Sequence, residues 1–336
     1  MYNYYLEEGF PFSAGKLEKL KCFLDTCGLD YDGQISYSVM ACGMDGKVLA
    51  AGSRCQNVLK CLAVSETCQG QGFLNIIMAK LISNAHTQGY SHLFLFTKPV
   101  YTDIFKELGF YSIINTGKIE FMENIPGGIH AYLEEEQAKC PPMTDGICAG
   151  AIVMNANPFT LGHLHLIEQA RKSCDRLHVF VLSEDTPPFP AADRLALVRE
   201  NCCGLPQVYV HGGSEYLISH TTFPDYFMKD KHAAFTANGE LDLLLFSVYF
   251  KEAFHISKRF VGEEPFCPVT RAYNLQMREI LPSHGIQVCV LPRYAVQGVP
   301  VSATRVRQHY FQRDLDSIAP LVPEPTFNYL KRRMNL

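Results

Sequence analysis

Gly150-Ala151-Ile152-Val153-Met154-Asn155-Ala156-Asn157-Pro158-Phe159-Thr160-Leu161-Gly162-His163 decides how the chain is read. The apolar run predicts a strand and Asn157-Pro158 predicts a turn. From His163 onward, Ile167, Ala170 and Cys174 recur on one face and predict an amphipathic helix. This order carries a helix start, with its unpaired N–H groups and partial positive charge, to the carboxyl edge of a sheet. Phosphate is the natural ligand of such a place. Gly162 removes a side chain where the helix begins, so adenine or a phosphate can lie against the backbone. Thr160 and His163 are placed to donate hydrogen bonds to phosphate oxygens. Taken singly, the same residues also fit a plain turn, a tight approach and an ordinary helix start.

A second string, Val301-Ser302-Ala303-Thr304-Arg305-Val306-Arg307, follows Gly298-Val299-Pro300 and opens another helix. Ser302 and Thr304 can offer hydroxyls and backbone N–H groups, and Arg307 a planar fork to terminal phosphates. The alternative is a serine N-cap followed by solvated arginines.

Around these strings, strands and helices alternate. Ala149–Met154, Leu177–Leu182, Gln207–Val210, Arg259–Val261 and Gln287–Leu291 read as strands, which implies a mostly parallel sheet covered on both faces. Upstream, Pro126-Gly127-Gly128, Glu134-Glu135-Glu136 and Pro141-Pro142 read as linker with room for one short helix. The expected organisation is a first α/β domain over 1–130, a linker over 131–146 and a Rossmann-like parallel-sheet domain over 147–336. In the first domain, Ser36–Gly43 and Lys47–Ser53 form a hairpin around Met44-Asp45-Gly46. Lys60–Val64 and His92–Thr97 are further strands. Ile76, Ile77, Leu81 and Ala85 mark a helix, and a short one over Tyr101–Leu108 ends at Gly109.

Composition narrows the function. The 336 residues carry 30 basic against 34 acidic groups, so there is no positive excess with which to hold nucleic acid. No apolar run is long enough to span a bilayer, and the start shows no secretion signal. A cytoplasmic protein with no membrane partner is expected. The 13 cysteines lack paired CxxC spacing and read as reduced, mostly buried thiols. The adjacent Cys202-Cys203 pair is a poor match to zinc spacing.

Taken together, the Gly150–His163 string and Ser302, Thr304 and Arg307 resemble the nucleotidyltransferase superfamily marked by (His/Thr)-x-Gly-His. The resemblance implies a nucleotide site of Asn155, Asn157, Pro158, Phe159, Gly162, Arg194, Ser302 and Thr304. His163, Thr160 and Arg307 would stabilise charge as a nucleophile attacks the α-phosphorus. Thr222-Phe223-Pro224-Asp225-Tyr226-Phe227, Arg259–Phe266 and Cys267–Asn274 carry the resemblance further, over nearly the whole chain, to the citrate lyase ligase (citrate lyase synthetase) family. That family implies activation of acetate by ATP as acetyl-adenylate. The acetyl group then passes to the prosthetic-group thiol on the acyl-carrier subunit of citrate lyase. Mg²⁺ would bridge the phosphates. Its protein ligand is open, with Glu263 and Glu264 as candidates that could equally cap a helix or pair with Arg271. Other readings are a dinucleotide-forming adenylyltransferase and a coenzyme A-dependent acetyltransferase.

The last reading comes from Gln69-Gly70-Gln71-Gly72. This loop resembles the pyrophosphate-binding loop of GNAT acetyltransferases, which implies a GNAT-like first domain able to take a coenzyme A-like group. Leu74 and Phe105 depart from that pattern, at a small-residue position and at a general-acid tyrosine position respectively.

Overall fold

The computed structural model describes residues 3–142, 146–184, 186–218, 226, 230–264 and 267–334. They form two compact units. The first comprises Met1–Gly128 with Phe223–Leu241, and the second Ile129–Thr222 with Asp242–Leu336.

The first unit contains β1 (Tyr4–Gly9), α1 (Ala14–Thr26), β2 (Tyr37–Gly43), β3 (Val48–Cys55), β4 (Val58–Val64), α2 (Phe73–Thr87), β5 (Phe94–Thr97), α3 (Thr102–Glu107), β6 (Tyr111–Asn115) and β7 (Glu120–Glu123). Its seven-stranded sheet has the order β1-β2-β3-β4-β5-β7-β6. Neighbours are antiparallel except β4 and β5, which pair in parallel only through Val58 with Phe94 and Leu59 with Leu95. Pairing stops where the β3–β4 register slips and Cys61 takes a positive φ of 53°, the mark of a bulge. Helix α2 exists because Phe73, Ile77, Met78, Leu81 and Ala85 share one buried face. Gly52 of β3 makes room for it, since a Cβ there would lie 2.5 Å from Ile77 Cγ2. The first unit is thus the α/β domain expected from the sequence.

The second unit opens with most of α4 (Gly128–Ala138), which overlaps the expected linker over 131–146 where the sequence left room for one short helix. It continues through β8 (Ala149–Met154), α5 (Leu161–Ala170), β9 (Arg176–Val181), α6 (Ala191–Cys202) and β10 (Val208–Gly212). Helix α7 (Lys231–Leu245) spans the division at Leu241 and runs into a π-helical turn at Phe246–Phe250. Then come α8 (Lys251–Phe254), β11 (Ile256–Gly262), α9 (Pro268–Ile280), β12 (Gln287–Leu291), α10 (Ala303–Phe311), α11 (Leu315–Ile318) and α12 (Glu324–Met334). The five strands are all parallel in the order β10-β9-β8-β11-β12. The chain winds outward from β8 to β10 and then returns to the other side of β8. In open parallel sheets ligands bind beyond the carboxyl ends of the strands at such a reversal, here the ends of β8 and β11. Strand β9 is buried along its length because both faces are covered. Leu177, Val179 and Val181 join the core with Ile167 and Val198, while Phe180 packs on Phe250 and Phe254. Among the described residues, no helix is long and apolar enough to cross a membrane.

The carboxyl edge is tightly built. A Cβ on Gly213, just past β10, would meet Val181 O at 2.2 Å and Ser183 N at 2.6 Å. These are backbone atoms and have little freedom to yield. Gly213→Ala is expected to destabilise the protein by about 1–3 kcal/mol, the usual cost of overpacking. A urea midpoint unchanged from wild type would show that the ends of β9 and β10 do not approach this closely.

Candidate active site at the sheet edge

The first predicted string leaves β8 at Met154 and turns into α5. Thr160 is the N-cap residue and is itself buried. Its Oγ1 accepts from the His163 N–H at 3.4 Å, while its own N–H donates to His163 Nδ1 at 3.0 Å. This is a capping box in which an imidazole replaces the usual carboxyl side chain. The consequence is chemical. Because Nδ1 accepts, the proton of the neutral ring sits on Nε2. Among the described residues, Nε2 has no protein partner and is free to donate outward. Burial, with the Arg293 guanidinium adding to it, pushes His163 below its ordinary value of 6.5 to about 4, so the ring is neutral near pH 7. Phe159, fully buried, stacks beneath it with ring centroids 5.5 Å apart.

The second string meets the first. Arg307 Nη1 donates to the Asn157 carbonyl at 2.6 Å, and Nη2 to Thr304 Oγ1 at 3.0 Å. Burial lowers the Arg307 pKa. Ser302 is the N-cap of α10, its Oγ accepting from the Arg305 N–H at 3.2 Å. Gly162 is where the two segments touch. A Cβ there would lie 3.2 Å from the Val301 carbonyl oxygen and 3.4 Å from Thr160 Oγ1. The room beside Gly162, expected for adenine or phosphate, is therefore occupied by the Val301 backbone. The N-terminal ends of α5 and α10 thus come together beside Arg307, an electropositive setting for polyphosphate.

Several predicted residues build the site's walls. Arg194 is fully buried. It donates to the carbonyl and side-chain oxygens of Asn155 and to the carbonyl of Glu184. It fixes the exits of β8 and β9 instead of facing an open crevice. Asn157 is buried too, its amide donating to the Thr186 and Pro187 carbonyls at 3.0 and 3.3 Å. Its Oδ1 is buried without a hydrogen-bond partner among the described residues. Pro158 is buried between these anchors.

Arg293 went unread in the sequence. It follows the carboxyl end of β12 and pairs with Glu264 while donating to the Glu263 carbonyl. Its place just beyond an apolar strand was the available signal. Tyr294, packed on His165 of α5, was missed as well. Of the two magnesium candidates, Glu264 is committed to Arg293 and to the Cys267 N–H at 3.1 Å, whereas Glu263 is exposed. Arg271 Nε reaches the Glu264 carbonyl at 3.2 Å. Of Phe223-Pro224-Asp225-Tyr226, only Tyr226 lies within the described residues. Pro265 and Phe266 also lie outside them. Tyr226 belongs to the first unit, where its carbonyl accepts from the Asp30 N–H at 2.7 Å.

The Gln69–Gly72 loop precedes α2, with positive φ at Gly70 and Gly72 and no side chain capping the helix. Gln71 folds back so that Nε2 donates to the Thr67 carbonyl at 2.8 Å. Leu74 turns toward the core, and Phe105 is a core residue with no hydroxyl to give.

Neutral His163 has a consequence for stability. Below pH 6.5 the unfolded chain binds a proton there that the folded protein refuses until about pH 4. The contribution is complete above pH 6.5 and is lost as pH falls toward 4. His163→Gln is expected to lose less stability over that window than wild type does. Urea midpoints that fall equally in both proteins would show that another group is responsible.

A family profile for the citrate lyase ligase C-terminal domain matches residues 149–330. The chain is 38% identical over 322 residues to citrate (pro-3S)-lyase ligase of Escherichia coli K12, covering 94% of this chain and 90% of that one. The ligase of Klebsiella pneumoniae is 41% identical over 289 residues, 84% of each chain. That of Haemophilus influenzae is 36% identical over 324 residues, covering 94% of this chain and 96% of that one. Since the match runs through both units and includes the segments at the carboxyl edge, the chain belongs to the citrate lyase ligase family.

Proposed function

We propose that this protein uses ATP and acetate to acetylate the prosthetic-group thiol on the acyl-carrier subunit of citrate lyase. The reaction passes through acetyl-adenylate and releases pyrophosphate and then AMP. The observation that carries this reading is the outward Nε2 donor of His163, held in one tautomer by the Thr160 capping box beside Arg307.

ATP lies across the carboxyl edge with its phosphates toward the starts of α5 and α10. An acetate oxygen attacks the α-phosphorus and the bond to pyrophosphate breaks. Acetate is a weak nucleophile, so the protein's contribution is positioning and neutralisation of charge on the phosphoryl oxygens. His163 donates from Nε2 to an α- or β-phosphate oxygen. Being neutral, it acts as an oriented donor and not as a proton source. Thr160 holds His163, and Arg194 holds the loop exits. Arg307 and the Ser302 hydroxyl serve the terminal phosphates. Mg²⁺ would draw its ligands mainly from phosphate, with Glu263 the carboxylate left to assist. The Gln69–Gly72 loop of the first unit is a docking place for the coenzyme A-like prosthetic group. With a phenylalanine at position 105, an acetyltransferase reaction of its own lacks the tyrosine acid.

Acetate-dependent ATP–pyrophosphate exchange tests the adenylation step. AMP freed in the presence of citrate lyase distinguishes this reaction from a dinucleotide synthesis, which keeps AMP in its product. His163→Ala is expected to lower exchange by about two to three orders of magnitude, the scale for losing one transition-state donor. A folded His163→Ala protein with near-full exchange would remove His163 from the mechanism. Arg307→Ala is expected to raise the ATP requirement. A change confined to acetate dependence would contradict its assignment to phosphate.

A further inference from the structure

Away from the carboxyl edge, the face of the parallel sheet opposite Leu177 and Val179 carries a polar group that the adenylation chemistry does not use. His178 of β9 and His211 of β10 lie side by side, each 1% exposed. His178 Nδ1 and His211 Nε2 are 2.9 Å apart. Cys140, just past α4, brings its Sγ to 3.9 Å from His211 Nε2. The three ligand atoms all lie within 4.8 Å of one another. Behind them, buried Glu136 of α4 accepts from His211 Nδ1 at 3.0 Å and is itself held by Lys139 Nζ at 2.6 Å.

We propose that Cys140, His178 and His211 form a binding site for one divalent cation of the Zn²⁺ class. One thiolate and two imidazoles are the donors that such a borderline-soft ion selects. The spacing fits. Bond lengths of about 2.3 Å to sulfur and 2.0–2.1 Å to nitrogen place tetrahedral ligands roughly 3.3–3.6 Å apart. The observed 2.9 and 3.9 Å bracket that range. The supporting carboxylate fits as well. Because Glu136 takes the Nδ1–H of His211, the Nε2 lone pair must face inward, the arrangement that orients histidine ligands in metal sites.

In the metal-free protein with both rings neutral, His211 Nδ1 donates to Glu136, so His178 Nδ1 donates to His211 Nε2. A cation replaces that hydrogen bond. The His178 proton moves to Nε2, which is buried without a hydrogen-bond partner, and the Cys140 thiol releases its proton. Access is provided by a cavity of about 320 Å³ at the exposed edge of β10, lined in part by Lys139, Cys140, Cys203, Tyr209 and His211. Three protein ligands leave a fourth position for water. The bound ion would tie the connection between α4 and β8 to the edge of the sheet.

The test uses the full chain, stripped with a chelator under reducing conditions and titrated with Zn²⁺ and, separately, Co²⁺. One equivalent is expected to bind. The Co²⁺ form should show a thiolate-to-metal charge-transfer band with the intense visible bands of four-coordination. Cys140→Ser should abolish the charge-transfer band and weaken Zn²⁺ at least about 10-fold, the loss typical of removing even a supporting partner. The paired Cys202→Ser, Cys203→Ser variant controls for the other thiols near the cavity and should keep both properties. His178→Ala and His211→Ala should also lose the site. If they fail to fold, Cys140→Ser, at a half-buried position, still decides the matter. A band that survives Cys140→Ser, a band lost in the paired variant, or no stoichiometric binding by wild type would each overturn the proposal.

Discussion

The reciprocal hydrogen bonds between Thr160 and His163 are the constraint on which the candidate site depends. A helix start must satisfy its first N–H groups, and a threonine N-cap is a common answer. Here the third residue returns the bond with an imidazole nitrogen in place of a carboxylate. One local device therefore begins a helix, chooses a tautomer and aims a donor. A glutamate in that place would close the same box and put negative charge where phosphate is to lie.

Everything around that box keeps it still. Arg194 clamps the exits of β8 and β9 through three backbone and side-chain acceptors. Asn157 holds the Thr186–Pro187 segment with its amide and receives Arg307 on its carbonyl. Gly162 lets the Val301 backbone close against α5. The loops at the carboxyl edge are thus braced by buried polar contacts, and the charged groups that remain near the surface have fixed positions from which to act.

Much of this was legible in the residues. The alternation of strand and helix could be read because apolar runs are interrupted by glycine, proline and cap residues. Thr160, His163 and Arg307 were singled out through their two strings and the family resemblance those strings carry, since each residue alone also fitted an ordinary cap or turn; the structure brings the two strings together. What escaped was non-local. The edge strand β1 has two half-exposed tyrosines, Tyr4 and Tyr5, and little apolar alternation to reveal it. Glu134-Glu135-Glu136 read as linker with room for one short helix; it lies in helix α4, and what the residues did not tell is that Ile129, Leu133 and Glu136 are all buried. Glu136 is buried because of a histidine 75 residues away. No local pattern records such a partner. Gly162 likewise read as room for a ligand, because nothing near it in the sequence tells that Val301 arrives there.

The division of the chain has a consequence for how the protein is made. Phe223–Leu241 groups with the first unit although it is synthesised after β8, β9 and β10. The first unit therefore waits for a late segment, and the nascent chain must leave an unfinished domain, begin another and come back. Cutting the gene after Gly128 would yield a fragment lacking part of its own structure. The two halves are less a tandem pair than an interleaved one, and order of emergence from the ribosome becomes a constraint on folding.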